Sequence, residues 1–97
     1  MRIVARKTIK DFWETNGDAE QPLKSWFREA ERANWAAPHE VKAAYRSASV
    51  IGNSRIVFYI AGNKYRLVVR FNYAYRVGYI RFIGTHAQYD AIDAENI

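Results

Sequence analysis

The chain has 97 residues, the length of one ordinary domain, and 49% of them are hydrophobic, which excludes an intrinsically disordered protein. It contains no cysteine, so disulfides and thiolate metal sites are excluded, and no apolar run approaches the ~20 residues of a membrane-spanning helix. The net charge is +5, and the cation-rich start lacks the continuous apolar segment of a secretory signal. We therefore expect one cytoplasmic domain over residues 1–97 that does not enter a membrane.

The beginning of the chain predicts a strand followed by a helix. Residues 2–5 form a short strand candidate with β-branched side chains. Residues 8–17 predict a helix, because Thr8 can cap its first turn and Gly17 can end it.

Two further helices are expected before the middle of the chain. Over residues 18–34, apolar side chains recur at the i, i+3, i+4 and i+7 positions of a helix face. Residues 38–45 predict a shorter helix with proline in its first turn. Large aromatic side chains often anchor the core of a small domain, so we expect Trp13, Trp26 and Trp35 to be core residues.

The second half of the chain changes to a strand pattern. Residues 55–60, 64–73 and 76–83 are rich in β-branched and aromatic side chains, and short turn sequences separate them. Thr85 can cap a short final helix. Helices followed by such a meander predict an α+β fold, with the helices on one face of a small, mainly antiparallel sheet.

The middle strand of this sheet is predicted to be two-sided, because side chains two positions apart share a face. One face should pack on the helices through Leu67, Val69 and Phe71, with Ile80 and Phe82 from the next strand. The opposite face should carry Lys64, Arg66 and Arg70, joined by Arg55, Val57 and Tyr59 from the preceding strand and by Tyr79, Arg81 and Ile83 from the following one.

The charge of this second face is unmixed, since no carboxylate lies between Glu40 and Asp90. Arginine binds phosphate bidentately and aromatic rings stack on bases, so a face of cations and tyrosines suits RNA. An ordinary solvated sheet face is the alternative. Clustered like charges repel across strands, which favours a functional use. The residues expected to bind RNA are Arg55, Tyr59, Arg70 and Tyr79, beside the cations Lys64, Arg66 and Arg81.

The final helix adds groups that can transfer protons. His86 and Asp90 are i, i+4 neighbours, so the carboxylate can orient the imidazole, and Tyr89 lies in the same turn. A metal-free ribonuclease needs a base for the 2′-OH, cations for the charge that develops on the phosphate, and an acid for the leaving oxygen. The candidate catalytic residues are Lys64, Arg66, Arg81, His86 and Tyr89.

Metal-dependent cleavage is the less favoured chemistry. Two-metal nucleases hold their ions with clustered carboxylates, and the predicted sheet face has none. Asp90 and Asp93 with His86 offer only a sparse alternative. We therefore expect neither a metal nor another cofactor.

Several motifs of this chain resemble those of HigB-type toxins, which belong to the RelE superfamily of bacterial toxin–antitoxin systems. They are the pattern NW…P…VK over residues 34–42, GNKYRLVV over residues 62–69, NY at residues 72–73, and IRFIGTHAQYD over residues 80–90. The order is that of the family. The resemblance implies a RelE-like fold and an mRNA interferase that cleaves translated mRNA in the ribosomal A site.

The resemblance also implies partners and site residues. A helix-turn-helix antitoxin of the HigA type would neutralise the toxin, and operator DNA would be contacted only indirectly through that antitoxin. Lys64 and Arg66 match the basic strand positions, while His86, Tyr89 and Asp90 match the terminal block. The superfamily pattern implies that Arg66 lies at the scissile phosphate and that Tyr89 lies against a base.

One position departs from the family pattern, because Tyr59 stands where asparagine is usual. Its ring can stack on a base, or it can block the site and give a weakened toxin held in an antitoxin complex. Two other functions stay open at this point: a non-catalytic RNA-binding module, and an interaction protein whose basic sheet holds an acidic partner. Whether Lys64 or His86 takes the proton of the 2′-OH is also open.

Overall fold

In the computed structural model, which describes residues Met1–Ile97, helices cover one face of a five-stranded sheet. The strands are β1 (Arg2–Val4), β2 (Ser49–Ile51), β3 (Arg55–Ile60), β4 (Tyr65–Asn72) and β5 (Val77–Thr85). The helices are α1 (Arg6–Thr15), α2 (Glu20–Arg32), α3 (Pro38–Ala44) and α4 (His86–Asp90), with a 3-10 turn at Gly17–Ala19. This confirms the predicted α+β fold with its short C-terminal helix.

The sheet is mixed, with strand order β1-β5-β4-β3-β2. The pairs β2–β3, β3–β4 and β4–β5 are antiparallel, whereas β1 lies parallel to β5 at one edge. The mainly antiparallel sheet is therefore confirmed. No helix is long and apolar enough to cross a bilayer; the longest, α2, has 13 residues.

The first helix begins two residues earlier than predicted. Ala5 has a φ of 73°, and this left-handed residue turns the chain from β1 directly into α1. Thr8 is consequently inside the first turn, where its backbone N–H donates to the Ala5 carbonyl at 3.0 Å. The prediction that Thr8 caps the helix is wrong, because the reversal at Ala5 replaces a side-chain cap.

The core lies between the helices and the sheet face formed by alternate residues of β3 and β4. Trp26 meets Phe58 edge to face, with ring centroids 5.3 Å apart, and Trp35 meets Phe71 in the same way at 5.8 Å. Trp13 is buried with them. The three tryptophans are core residues, as expected from the sequence.

A β-bulge in β5 changes the face assignment that strict alternation gave. Val69 lies opposite Ile80 and Val68 lies opposite Phe82, so Arg81 has no cross-strand partner. From this point on, the side chains of β5 exchange faces. Ile83 packs against the helix-side core, and Phe82 contacts Tyr89 on the other side of the sheet. The predicted faces of Phe82 and Ile83 were therefore wrong.

The C-terminal segment crosses the sheet face that the helices leave uncovered. Beyond α4, the Glu95 carbonyl accepts a hydrogen bond from the Asn53 side chain at 2.8 Å, in the β2–β3 turn. The segment must therefore pass over β4 and β3. Val57 and Val68 are fully buried on this face, although neither belongs to the helix-side core. The expectation of a fully open second face is corrected: its middle is covered.

Candidate nucleic-acid interface

The second face of the sheet carries three cross-strand rows with different chemistry. Strand register places Tyr59, Arg66 and Gly84 in the first row, Val57, Val68 and Phe82 in the second, and Arg55, Arg70 and Tyr79 in the third. Adjacent rows on one face lie two residues apart, or ~7 Å. A buried apolar row thus separates the cations at the two ends.

Arg66 is held in place at the first row by two contacts. Tyr59 lies directly opposite on β3, and the Arg66 guanidinium carbon sits 4.5 Å from the centroid of its ring. The Nη1 group also donates to the Asn63 carbonyl at 2.5 Å, in the β3–β4 turn. The guanidinium is therefore fixed by a cation–π stack and a hydrogen bond, and no carboxylate pairs with it.

The Tyr59 ring is itself anchored. Its hydroxyl lies 2.7 Å from the Ser49 hydroxyl on the edge strand β2. Sequence reasoning missed both Ser49 and Asn63 as parts of the site. Ser49 lies in a strand that was not predicted, and Asn63 lies in the segment between residues 60 and 64 that was predicted only to be a turn.

The helix α4 brings further groups next to Arg66. Thr85 and Gln88 form a capping box, in which the Gln88 N–H donates to Thr85 Oγ1 at 3.2 Å and the Thr85 N–H donates to Gln88 Oε1 at 2.8 Å. This confirms Thr85 as the cap of α4. The helix packs against β4 and β5, which places its functional side chains at the end of the sheet that carries Arg66.

Tyr89 faces the sheet from α4. Its ring lies 6.4 Å from that of Phe82, and it is half-buried. Burial raises the pKa of the Tyr89 phenol, Tyr59 raises it further, and the Arg66 guanidinium opposes this increase. We call Tyr59, Arg66 and Tyr89 the Arg66 cluster. It combines one fixed cation with two aromatic rings.

His86 and Asp90 form the predicted pair at the rim of this cluster. His86 Nε2 lies 3.4 Å from Asp90 Oδ2, and both side chains are about two-thirds exposed, at 65% and 63%. The carboxylate therefore lies within ion-pairing distance of the imidazole, which stays open to solvent and to a ligand.

Lys64 does not belong to this face. It precedes β4, and its ammonium group pairs with Asp18, in the 3-10 turn between α1 and α2. Asp18 also accepts a hydrogen bond from the Tyr65 hydroxyl at 2.6 Å. The hydrogen bond to Asp18 raises the pKa of Lys64, which keeps it protonated. The predicted position of Lys64 beside Arg66 is wrong, because strand alternation does not extend into the turn.

Arg55 is also removed from the expected surface. Only 8% of the residue is exposed. Its Nη1 donates to the Asn53 carbonyl at 2.8 Å and its Nε donates to the Ile97 carbonyl at 3.1 Å. The C-terminal segment has covered this side chain, so its donors serve the fold and are not available to RNA.

The remaining cations are exposed but separate from the cluster. Arg70 lies opposite Tyr79 in the third row, and four residues of strand, or ~13 Å, separate it from Arg66. Arg81 is exposed at the bulge of β5. No group of three or more His, Asp or Glu side chains that could hold a metal ion occurs in the chain.

Comparison with known proteins identifies the family to which this chain belongs. A comparison with curated proteins gives no match. The family model described as HigB_toxin, the RelE-like toxic component of a toxin-antitoxin system, matches residues 19–92, which include all of the Arg66 cluster and most of the helical layer. Membership implies a toxin with an antitoxin partner, in a group whose general activity is that of a ribonuclease. The chain therefore belongs to the HigB family of RelE-like toxins.

Proposed function

We propose that this toxin is a ribosome-dependent, metal-independent endoribonuclease that cleaves translated mRNA. The observation that carries the proposal is the fixed guanidinium of Arg66, which no carboxylate pairs with, next to Tyr89 on α4, the helix that also carries His86. A preorganised cation is most useful where charge develops in a transition state, as it does on phosphate when the 2′-oxygen attacks. The RNA would occupy the exposed surface of the Arg66 cluster.

Each group has a proposed role in the reaction. Arg66 stabilises the charge on the phosphate, and Tyr89 positions a base. As the 2′-oxygen attacks, its proton passes to a solvent water, and His86 donates a proton to the leaving 5′-oxygen. Asp90, 3.4 Å from the imidazole, orients it. We assign the acid to His86 because the ammonium of Lys64 is paired with Asp18 away from this cluster.

Other residues extend the contact with RNA. Arg70 lies ~13 Å from Arg66 along β4, with Tyr79 opposite it on β5. Arg81 offers a further exposed cation. We leave Arg55 out of this surface because it is buried by the C-terminal segment.

The experiment maps new mRNA 5′ ends in a purified translation reaction that keeps the magnesium the ribosome needs. Metal independence is tested by stripping the toxin with EDTA and dialysis before it is added, which should leave the cleavage rate unchanged. Arg66→Ala should lower the cleavage rate by about 10²–10³, the typical loss when one preorganised hydrogen-bond donor to the transition state is removed. His86→Ala should also lower it, by roughly 10²–10⁴. Arg32→Ala is the matched control, because Arg32 is an exposed arginine on α2, away from the cluster.

Two outcomes would overturn the proposal. A folded Arg66→Ala protein that cleaves like wild type would remove Arg66 from the reaction. Wild-type protein that binds ribosomes in a salt-dependent manner but generates no new mRNA ends would be a non-catalytic RNA-binding protein. The antitoxin is proposed to be a HigA-type helix-turn-helix protein. Co-purification of the toxin with the protein encoded by an adjacent gene would test this.

A further inference from the structure

The Arg66 guanidinium stacks on the ring of Tyr59, and the hydroxyl of that ring is itself anchored. Tyr59 contacts Arg66 through one ring face, with the guanidinium carbon 4.5 Å from the ring centroid. The phenol oxygen at its other end is 2.7 Å from the Ser49 hydroxyl. Ser49 belongs to β2, which pairs with β3 through Val57, two residues from Tyr59. The edge strand β2 therefore anchors Tyr59, and Tyr59 in turn supports Arg66.

This support restricts a side chain that is otherwise flexible. An exposed arginine samples many rotamers, and holding it in one of them costs conformational entropy whenever a ligand must do so. In this structure the stack limits rotation out of the ring plane, and the bond from Nη1 to the Asn63 carbonyl, at 2.5 Å, limits rotation within it. Nε and Nη2 stay without partners within the chain, and these two groups form the fork that binds a phosphate bidentately.

We propose that Tyr59 is a positioning residue, whose ring, anchored by Ser49, aims the Nε and Nη2 groups of Arg66 at the phosphate of the bound RNA. The proposal rests on the function proposed above and gives Tyr59 a role other than stacking on a base or blocking the site. The ring face that contacts Arg66 is already occupied, so this face has no room for a nucleobase. Tyr59 acts on the reaction only through Arg66.

The first test observes Arg66 directly and needs no RNA. In the NMR spectrum of the free wild-type protein, the Arg66 side-chain protons should be shifted upfield by the ring current of Tyr59, and the Nε–H group should be ordered. Tyr59→Phe keeps the ring and should keep most of the shift. Tyr59→Leu removes the ring and should abolish both signatures, whereas Tyr75→Leu, at the 79% exposed Tyr75, should change neither.

The second test separates positioning from direct contact with a base. In single-turnover cleavage on programmed ribosomes, Tyr59→Leu should lower the rate at saturation by roughly 5- to 30-fold, the equivalent of one cation–π contact. The half-saturating concentration should change little. Ser49→Ala should show a smaller loss, because the ring remains but its anchor is gone. Thermal melting of each variant checks that the fold persists.

A double-mutant cycle gives the decisive result. If Tyr59 works through Arg66, then Tyr59→Leu should have no further effect on the residual rate of Arg66→Ala. An undiminished effect in that background, or a loss seen only in the half-saturating concentration, would overturn the proposal and assign Tyr59 to base binding. An Arg66 NMR signal unchanged by Tyr59→Leu would overturn it as well.

These outcomes are distinguishable from a failure of the proposed function. If wild-type protein does not cleave mRNA, the endoribonuclease assignment fails whatever the NMR spectrum shows. If wild type cleaves, but Tyr59→Leu leaves the Arg66 NMR signal unchanged and its effect on the rate adds to that of Arg66→Ala, the endoribonuclease assignment stands and the role of Tyr59 fails. Where Tyr59→Leu does not fold, Tyr59→Phe and Ser49→Ala test the anchor instead: each removes the contact between the two hydroxyls, should lower the cleavage rate slightly, and should have no further effect in the Arg66→Ala background, where an undiminished effect would overturn the proposal.

Discussion

Lys64 and Asp18 form an ion pair that joins the β3–β4 turn to the 3-10 turn before α2, and the same carboxylate accepts the Tyr65 hydroxyl at 2.6 Å. The ammonium group of Lys64 is thereby held on the helix side of the sheet. The neighbouring strand residue Arg66 points to the other side, toward Tyr59. Two basic residues two positions apart in the sequence thus serve different surfaces.

Lys64→Ala should leave mRNA cleavage close to the wild-type rate, because its ammonium group is paired away from the Arg66 cluster. The measurement is the single-turnover rate beside that of Arg66→Ala. Lys10→Ala is a suitable control, since Lys10 is an exposed lysine that faces Glu14 at 3.9 Å. A folded Lys64→Ala protein with a loss as large as that of Arg66→Ala would return Lys64 to the catalytic group.

Asp18 should make the stability of the protein depend on acid pH. Its hydrogen bonds from Lys64 and then from Tyr65 hold the pKa of this carboxyl below 3.8. A carboxyl whose pKa is lowered on folding stabilises the protein above its unfolded pKa, and this contribution disappears as the pH falls through the folded pKa.

Asp18→Asn should therefore lower the melting temperature near neutral pH and have a smaller effect at acid pH, because the wild-type carboxyl becomes protonated as the pH falls through its lowered pKa. Thermal melting of both proteins at the two pH values measures the difference. A difference in melting temperature that does not change between them would show that the carboxylate contributes nothing through its charge.

Gly84→Ala should damage the site through the position of α4. A Cβ atom at Gly84 would lie 2.6 Å from Gln88 Oε1 and 2.6 Å from the tip of the Phe82 ring. Since Gln88 caps α4, the helix must shift, and overpacking of this kind costs about 1–3 kcal/mol. We expect a lower melting temperature and a lower cleavage rate, because His86 and Tyr89 move with α4.

The matched control for that substitution is Gly17→Ala. Gly17 begins the 3-10 turn, and no atom lies within 4 Å of the position that its Cβ would occupy. It should melt and cleave like wild type. Equal stability of the two variants would mean that the packing of α4 on Gly84 is not needed.

Arg55→Ala and Arg70→Ala should have opposite consequences. Arg55 is buried and donates to the Asn53 and Ile97 carbonyls, so its loss should lower the free energy of unfolding by about 1–3 kcal/mol. Arg70 is exposed and should affect RNA instead. Its loss should lower the slope of log affinity against log salt by about 1, with stability unchanged.

Denaturant unfolding and ribosome binding over a range of salt concentrations distinguish these effects. If Arg55→Ala changed the salt dependence and left stability unchanged, the C-terminal segment would have to leave Arg55 when RNA binds. That result would move Arg55 back into the RNA-binding surface.

The fold was predictable where a periodic pattern runs for several residues. β3 and β4 are continuous runs of β-branched and aromatic side chains, and α2 has a complete apolar stripe, so their existence and the faces that meet each other in the core follow from the sequence alone. β2 was missed because three residues are too few to show a period; it exists through its pairing with β3. Tertiary pairing of this kind leaves no local signal.

The candidate site was predictable only within a strand. Arg66 and Tyr59 share a face because both lie in regular strands, and alternation places them together. Alternation failed for Lys64, since Ala61, Gly62 and Asn63 have φ values of 56°, 61° and 75° and redirect the chain before β4 begins. Arg55 was misjudged for another reason: nothing in its own neighbourhood indicates that residues 42 positions later would cover it.

The unpaired Arg81 in β5 has a consequence for the whole end of the chain. Side chains alternate between the two faces of a strand, so one extra residue moves every later side chain to the opposite face. Without the bulge, Gly84 would face the helical layer, and α4 could not pack closely against it on the face that carries Arg66. Arg81, which has no cross-strand partner on β4, thus determines the face of the sheet to which α4 brings His86 and Tyr89, and this is the face that carries Arg66.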